Sequence, residues 1–103
     1  MEYRLDNYSR NPETLLLHLA GNCKARRLDM GYSRRTLSGL SGVPAPTIER
    51  FERTGKISLE SFCQLAIVFD YFEEMGGILG RTKYNSSAEL ERITKNKYRK
   101  NGR

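Results

Sequence analysis

The sequence predicts an all-α fold, and three observations carry that prediction. Apolar residues recur at helical spacing in five successive stretches between residues 11 and 80. Capping residues open several of them (Asn11, Ser33, Ser58) and glycines close several (Gly31, Gly42, Gly55). No segment alternates apolar and polar residues over a strand's length, and no internal repeat is present.

Residues 1–10 show no clear period. Tyr3, Leu5 and Tyr8 leave an anchored arm or a short edge strand open. Asn11-Pro12-Glu13 then starts a helix. Asn caps, Pro fits the first helical position, and Glu suits the positive end of the helix dipole. This helix runs to about Met30 with Leu16, Leu19, Ala20, Cys23 and Arg27/Leu28 on its inner stripe. Gly21 and Asn22 weaken it midway, and Gly31 ends it in the left-handed conformation. Ser33 caps a short second helix with Leu37 and Leu40 facing inward, which Ser41-Gly42 breaks. A third helix runs from Pro44 or Ala45 to Arg53, with Ile48 and Phe51 inward and Gly55 closing it. Pro46 must lie in its first turn, because deeper it would remove a backbone bond and clash. Ser58 caps a fourth helix whose stripe is Leu59, Phe62, Leu65, Ala66 and Phe69, with a boundary at Asp70. Tyr71 to Leu79 is a fifth short helix, with Phe72, Met75 and Leu79 as apolar contacts. Apolar density collapses from Arg81 on. Ser86-Ser87-Ala88-Glu89 fits a capping box, so a marginal helix is expected over residues 87–97.

At 103 residues the chain makes one domain, with a mean hydropathy of -0.65 that places polar ends on a compact core. We divide it into an N-terminal arm (1–10), a helical domain (11–80) and a basic, partly disordered tail (81–103). Residues 1–80 carry ten Lys/Arg and ten Asp/Glu, so the tail holds the whole net charge of +6. A second basic region lies inside the fold, eight cations against three anions from Lys24 to Lys56. A basic patch on a folded scaffold is the footprint of a polyanion partner, although charge runs are also ordinary solvated faces. Three readings of the tail stay open: tracking a DNA backbone, folding onto a protein partner, or plain disorder.

Other classes are disfavoured. No apolar run approaches the roughly 20 residues that span a membrane. Met1-Glu2-Tyr3-Arg4-Leu5-Asp6 has no leader-like apolar core, so the cytoplasm is the expected location. Cys23 and Cys63 lack metal spacing and read as reduced core residues. The one histidine, His18, stands on a Leu-rich helix with no Cys, Asp or Glu at triad or ligand spacing, and Gly76-Gly77 and Gly80 lack the context of a phosphate-cradling loop. We expect no enzyme, no cofactor and no metal. The aromatic sheet platform of single-stranded RNA readers is also missing.

The informative stretch is Ser33 to Arg53. Two short helices joined by a tight glycine-containing turn are the layout of a helix-turn-helix. Leu37, Val43 and Ile48 fix the helix crossing from inside, with little room for a side chain at Gly42. The outer face of the third helix is then free to enter a major groove. Glu49 and Glu52 would repel phosphates if outward, so Glu52 is expected inward.

These residues carry a resemblance. The run Lys24-Ala25-Arg26-Arg27-Leu28-Asp29-Met30-Gly31-Tyr32-Ser33-Arg34-Arg35-Thr36-Leu37-Ser38, then Gly42-Val43, then Thr47-Ile48-Glu49-Arg50-Phe51-Glu52-Arg53-Thr54-Gly55 and Ile57-Ser58-Leu59, resembles the Cro/phage-repressor (XRE) helix-turn-helix family. The resemblance covers roughly residues 14–75 and implies a five-helix, lambda-repressor-like DNA-binding domain. Arg50-Phe51-Glu52-Arg53-Thr54-Gly55-Lys56-Ile57-Ser58-Leu59 with a basic tail also resembles the HipB-type antitoxins, which bind a HipA-type kinase toxin and autoregulate their operon.

The resemblance implies a sequence-specific repressor of double-stranded DNA, acting as a homodimer. It puts DNA contacts at the starts of the second and third helices. Arg34 stands where members often carry a Gln reaching a base or phosphate. Ala45 and Pro46 stand where polar base readers are usual, and can touch a thymine methyl but make no hydrogen bond. Arg50 is the best remaining base reader, with surface pairing to Glu49 or Asp29 as its alternative. Thr47 could donate to a phosphate, and Arg35, Arg53 and Lys56 are the expected phosphate contacts. Arg53 could instead complement the negative end of its own helix. The resemblance also implies an internal ion pair between Arg27 and Glu52. The apolar residues Tyr71, Phe72, Met75, Ile78 and Leu79 leave two readings open: a subunit interface, or closure of the core over Leu17.

Overall fold

A computed structural model of the chain describes residues 10–81 and 87–97. Six helices form among them: α1 (Pro12–Asp29), α2 (Arg34–Ser41), α3 (Ala45–Thr54), α4 (Leu59–Val68), α5 (Phe72–Gly77) and α6 (Ser87–Lys97). The described residues contain no strand, and none of their helices is long and apolar enough to cross a membrane. Residues 1–9 of the expected arm, and 82–86 and 98–103 of the expected tail, lie outside the described residues.

The caps explain where the helices start. Asn11 accepts the Thr14 N–H at 2.8 Å, Ser33 accepts that of Thr36 at 3.0 Å, and Ser58 accepts that of Ser61 at 3.1 Å. Each satisfies a donor that the first turn would leave unpaired. Two helix ends share one hydrogen-bond pattern. Past α1, Tyr32 N–H reaches the Arg27 carbonyl and Gly31 N–H reaches that of Leu28, both at 3.0 Å. Past α4, Tyr71 N–H reaches Ala66 at 2.9 Å and Asp70 N–H reaches Ile67 at 3.0 Å. Both are Schellman ends with a left-handed residue, Gly31 at φ 72° and Asp70 at φ 67°. Asp is one of the few other residues that visits this region readily.

The core sits where α1, α2, α3 and α4 meet. Ala20, Cys23, Leu37, Val43, Ile48, Phe51 and Leu65 form it, with Tyr32, Ile57, Phe62, Val68 and Phe69 packed around them. Phe51 meets Phe62 edge-on at 5.7 Å, and Tyr32 stacks on Phe69 at 6.4 Å. α1 packs on α3, α2 packs on both α3 and α4, and α5 packs on α4. α1 is continuous through Gly21 and Asn22, because the buried Ala20 and Cys23 flanking them anchor that stretch to the core.

Several expected inward residues face out. Leu28, Leu40 and Leu59 are all exposed. Leu28 follows the buried Arg27 by one position and Leu40 follows the buried Leu37 by three, each one residue short of the end of its helix. Leu59 is the first residue of α4, ahead of the turn that meets the core. On and after α5, Phe72 is 64% exposed and Leu79 97%, so closure of the core over Leu17, itself exposed, is not what these residues do. The stretch 87–97 of the expected partly disordered tail is helical, as its capping box anticipated, with no buried residue.

Gly42 corrects a second expectation. A Cβ built there would meet only Gln64 Nε2 at 3.8 Å, so space is available. The demand at Gly42 is its φ of 81°. Gly55 carries both constraints. Its φ is 80°, and a Cβ would lie 3.0 Å from the Leu16 backbone carbon and 3.1 Å from the Leu17 nitrogen. Here the backbone of α1 passes close to the residue that ends α3.

Burial pushes the Cys23 thiol up from its ordinary 9.0 to about 12, helped by the Glu52 charge and opposed by Arg27. The folded chain thus holds this proton more tightly than the unfolded chain. The resulting stability is complete below pH 9 and is lost as pH rises toward 12.

Two predictions follow from the packing. Gly42→Ala loses about 1–2 kcal/mol from backbone strain alone, whereas Gly55→Ala loses a further 1–3 kcal/mol, roughly, from overpacking against α1; urea denaturation reads both. In the same assay at rising pH, wild-type stability falls above pH 9, and Cys23→Ala shows a shallower fall across that window.

Candidate nucleic-acid interface

The link from α2 to α3 is built from three residues. Gly42 takes the left-handed turn, Val43 drops into the core, and Pro44 starts the next helix with its carbonyl accepting from Thr47 and Ile48 at 2.9 and 3.1 Å. Ser41 Oγ accepts the Val43 N–H at 3.1 Å. Leu37, Val43 and Ile48 are each fully buried, which fixes the two helices against each other from within. Pro46 is the second residue of α3, where its missing N–H costs no bond.

On the outer side, an open cleft of about 650 Å³ is lined by Pro46, Thr47, Arg50, Lys56, Ile57, Ser58 and Ser61. Pro46, Thr47 and Arg50 share a face of α3 by their spacing of three and four residues. The loop after Gly55 brings Lys56 beside them. Thr54 Oγ1 shapes that loop, donating to the Arg50 carbonyl at 2.7 Å and accepting the Lys56 N–H at 3.2 Å. The N-terminus of α4 opens onto the same cleft through Ser58 and Ser61. The dipole of α4 adds positive potential at this end, partly offset by the exposed Glu60. A cleft of this make-up can hold a phosphate by charge and hydrogen bonds together.

The eight expected contact residues divide three ways. Pro46, Thr47, Arg50 and Lys56 come together in the cleft. Arg50 is exposed and makes no ion pair among the described residues, since Glu49 pairs with Arg53 and Asp29 with Arg26. Ala45 is the half-buried first residue of α3, and Arg35 is exposed on α2, both outside the cleft. Arg53 and Arg34 are engaged within the fold. Arg53 Nε donates to Glu49 at 3.0 Å with both side chains open to water. Such a pair is worth about 0.3–0.5 kcal/mol, so a phosphate can displace it.

Arg34 is held differently. Its Nε donates to Glu52 Oε1 at 3.0 Å. The same carboxylate takes Arg27 through two bonds, Nε to Oε2 at 2.7 Å and a terminal nitrogen to Oε1 at 3.0 Å. The inward Glu52 and its pair with Arg27 match the expectation. The second arginine on that carboxylate was not anticipated. Neither were Ser58 and Ser61 as cleft residues. Only the Ser58 cap signal hinted at them, because a helix start is also where an anion binds.

Compared with models of protein families, with curated proteins and with solved structures, the chain matches none of them.

Proposed function

We propose that the chain is a sequence-specific DNA-binding regulator that presents α3 to the major groove and works as a homodimer. The observation that supports this best is the open basic cleft in which α3 and the loop after it bring Thr47, Arg50 and Lys56 together. In this reading α1–α5 are a lambda-repressor-like domain and α6 is an addition to it. Arg50 reads a base, because its guanidinium has no competing anion among the described residues. Lys56, Thr47 and the start of α4 hold phosphates on either side, and Arg35 adds charge from α2. With Ala45 and Pro46 at its tip, α3 offers apolar contact there, suited to a thymine methyl.

The dimer reading rests on α5. Phe72, Ile78 and Leu79 are exposed, and Leu79 carries a strained φ of 64°. Of the three, Ile78 lines a groove of about 420 Å³ whose other walls include Leu19, Phe62, Phe69 and Met75. An apolar surface of this kind marks an interaction site. A second copy meeting it isologously would set two α3 helices for a palindrome with half-sites about one helical turn apart.

Fluorescence anisotropy tests the DNA reading, with duplex from directly upstream of the chain's own gene beside a scrambled duplex, each at low and near-physiological salt. The upstream duplex binds more tightly at both salts, and Arg50→Ala removes about 1–3 kcal/mol of that discrimination. Equal binding that vanishes with salt would reduce the cleft to counterion release and overturn sequence-specific reading. Sedimentation equilibrium tests the dimer. Wild type sediments as a dimer, and Phe72→Glu and Leu79→Glu shift it to monomer with unchanged helical content; a wild-type monomer at all concentrations sinks the reading.

A further inference from the structure

One carboxylate carrying two arginines is more than the fold requires. The Glu52 side chain is 2% exposed, that of Arg27 8%, and that of Arg34 42%. Arg27 alone ties α1 to α3 with its two bonds to Glu52 and spends its remaining terminal nitrogen on the Tyr32 carbonyl at 2.9 Å. Arg34 adds a third bond from the first residue of α2. Glu52 engages only its Nε–H, so the donors on both terminal nitrogens make no hydrogen bond among the described residues. Two cations on one anion also leave the cluster with an uncompensated positive charge.

We infer that Glu52 is a positioning residue for DNA recognition. It braces Arg34 through Nε and leaves the terminal nitrogens as a preset fork for a pair of acceptors on the duplex. The inference rests on the DNA-binding reading above. An unbraced arginine loses rotamer freedom when it binds, and here the bond from Nε to the buried Glu52 already restricts the side chain in the folded protein. The fork suits acceptors set side by side: two oxygens of a phosphate, or O6 and N7 of a guanine. Arg53 lacks this preparation, because Glu49 is open to water and holds it weakly. Arg35 has no anion at all among the described residues. The fork also supplies what the start of α3 lacks, since Ala45 and Pro46 have no side-chain donor.

A double-mutant cycle on the full chain tests this, using a duplex that the wild type enriches from a random-sequence pool. Arg34→Ala is expected to lower affinity at least about tenfold. Glu52→Gln is expected to lower it by a similar factor in the wild-type background, and by less than about twofold once Arg34 is gone. Equal losses from Glu52→Gln in both backgrounds would make its effect one of fold alone and overturn the inference, as would wild-type affinity in Arg34→Ala. Should Glu52→Gln fail to fold by circular dichroism, Arg34→Lys replaces it. That variant keeps the charge without the fork and is expected to bind as weakly as Arg34→Ala; wild-type affinity there overturns the inference. Re-enrichment with Arg34→Ala separates the two acceptor sources. Loss of guanine at one symmetric position assigns the base. An unchanged sequence with a salt dependence shallower by about one ion assigns a phosphate. A wild type that enriches no sequence and loses all binding with salt overturns both readings at once.

Discussion

Glu52 rides on α3 and accepts from Arg27 of α1 and Arg34 of α2, so one carboxylate joins three helices at one point. Its burial makes that joint stiff. Removing one partner of such a buried pair costs about 3–5 kcal/mol, because the survivor is left charged and dry. Small domains hold only about 5–15 kcal/mol in total. The exposed Arg53–Glu49 pair, four residues apart on α3, is worth a tenth of that scale or less. The two ion pairs on one helix therefore do different work. One holds the fold and the other is a loose surface contact.

The outer surface depends on that inner joint. α3 can offer Thr47 and Arg50 to a ligand because Ile48 and Phe51, on its opposite side, are sealed in the core. Lys56 joins them only because Gly55 turns the chain sharply where α1 passes within contact distance. A side chain at Gly55 would push α1 and the loop apart, and the cleft with them. Core packing, the glycine turn and the basic cleft are thus successive consequences of how α3 is seated.

Much of this was legible in the sequence. The caps at Asn11, Ser33 and Ser58, the stops at Gly31, Gly42 and Gly55, and the inward pair Ile48 and Phe51 all appear where local rules put them. The three misplaced leucines have one origin. Leu28, Leu40 and Leu59 satisfy helical spacing yet face water, because spacing marks a stripe and says nothing of where the neighbouring helix stops. The cleft was half legible. Pro46, Thr47, Arg50 and Lys56 lie within eleven residues, whereas Ser61 joins them through the packing of the next helix. Arg34 was read as a DNA contact, and the carboxylate that holds its Nε lies eighteen residues away, beyond the reach of local rules.

The sequence by itself determined the all-helical class, most helix starts and stops, and the concentration of cations from Lys24 to Lys56. Those properties are local: a cap bonds three residues ahead, a glycine accepts a left-handed φ, and charge is counted without coordinates. The tertiary structure alone decided which cations stand open and which are held, and that the face following Tyr71 stays uncovered in the single chain. Those properties depend on which anion or apolar surface arrives from a distant part of the chain. Ordinary spacing rules do not encode that arrival, because it is set by how four helices share one core.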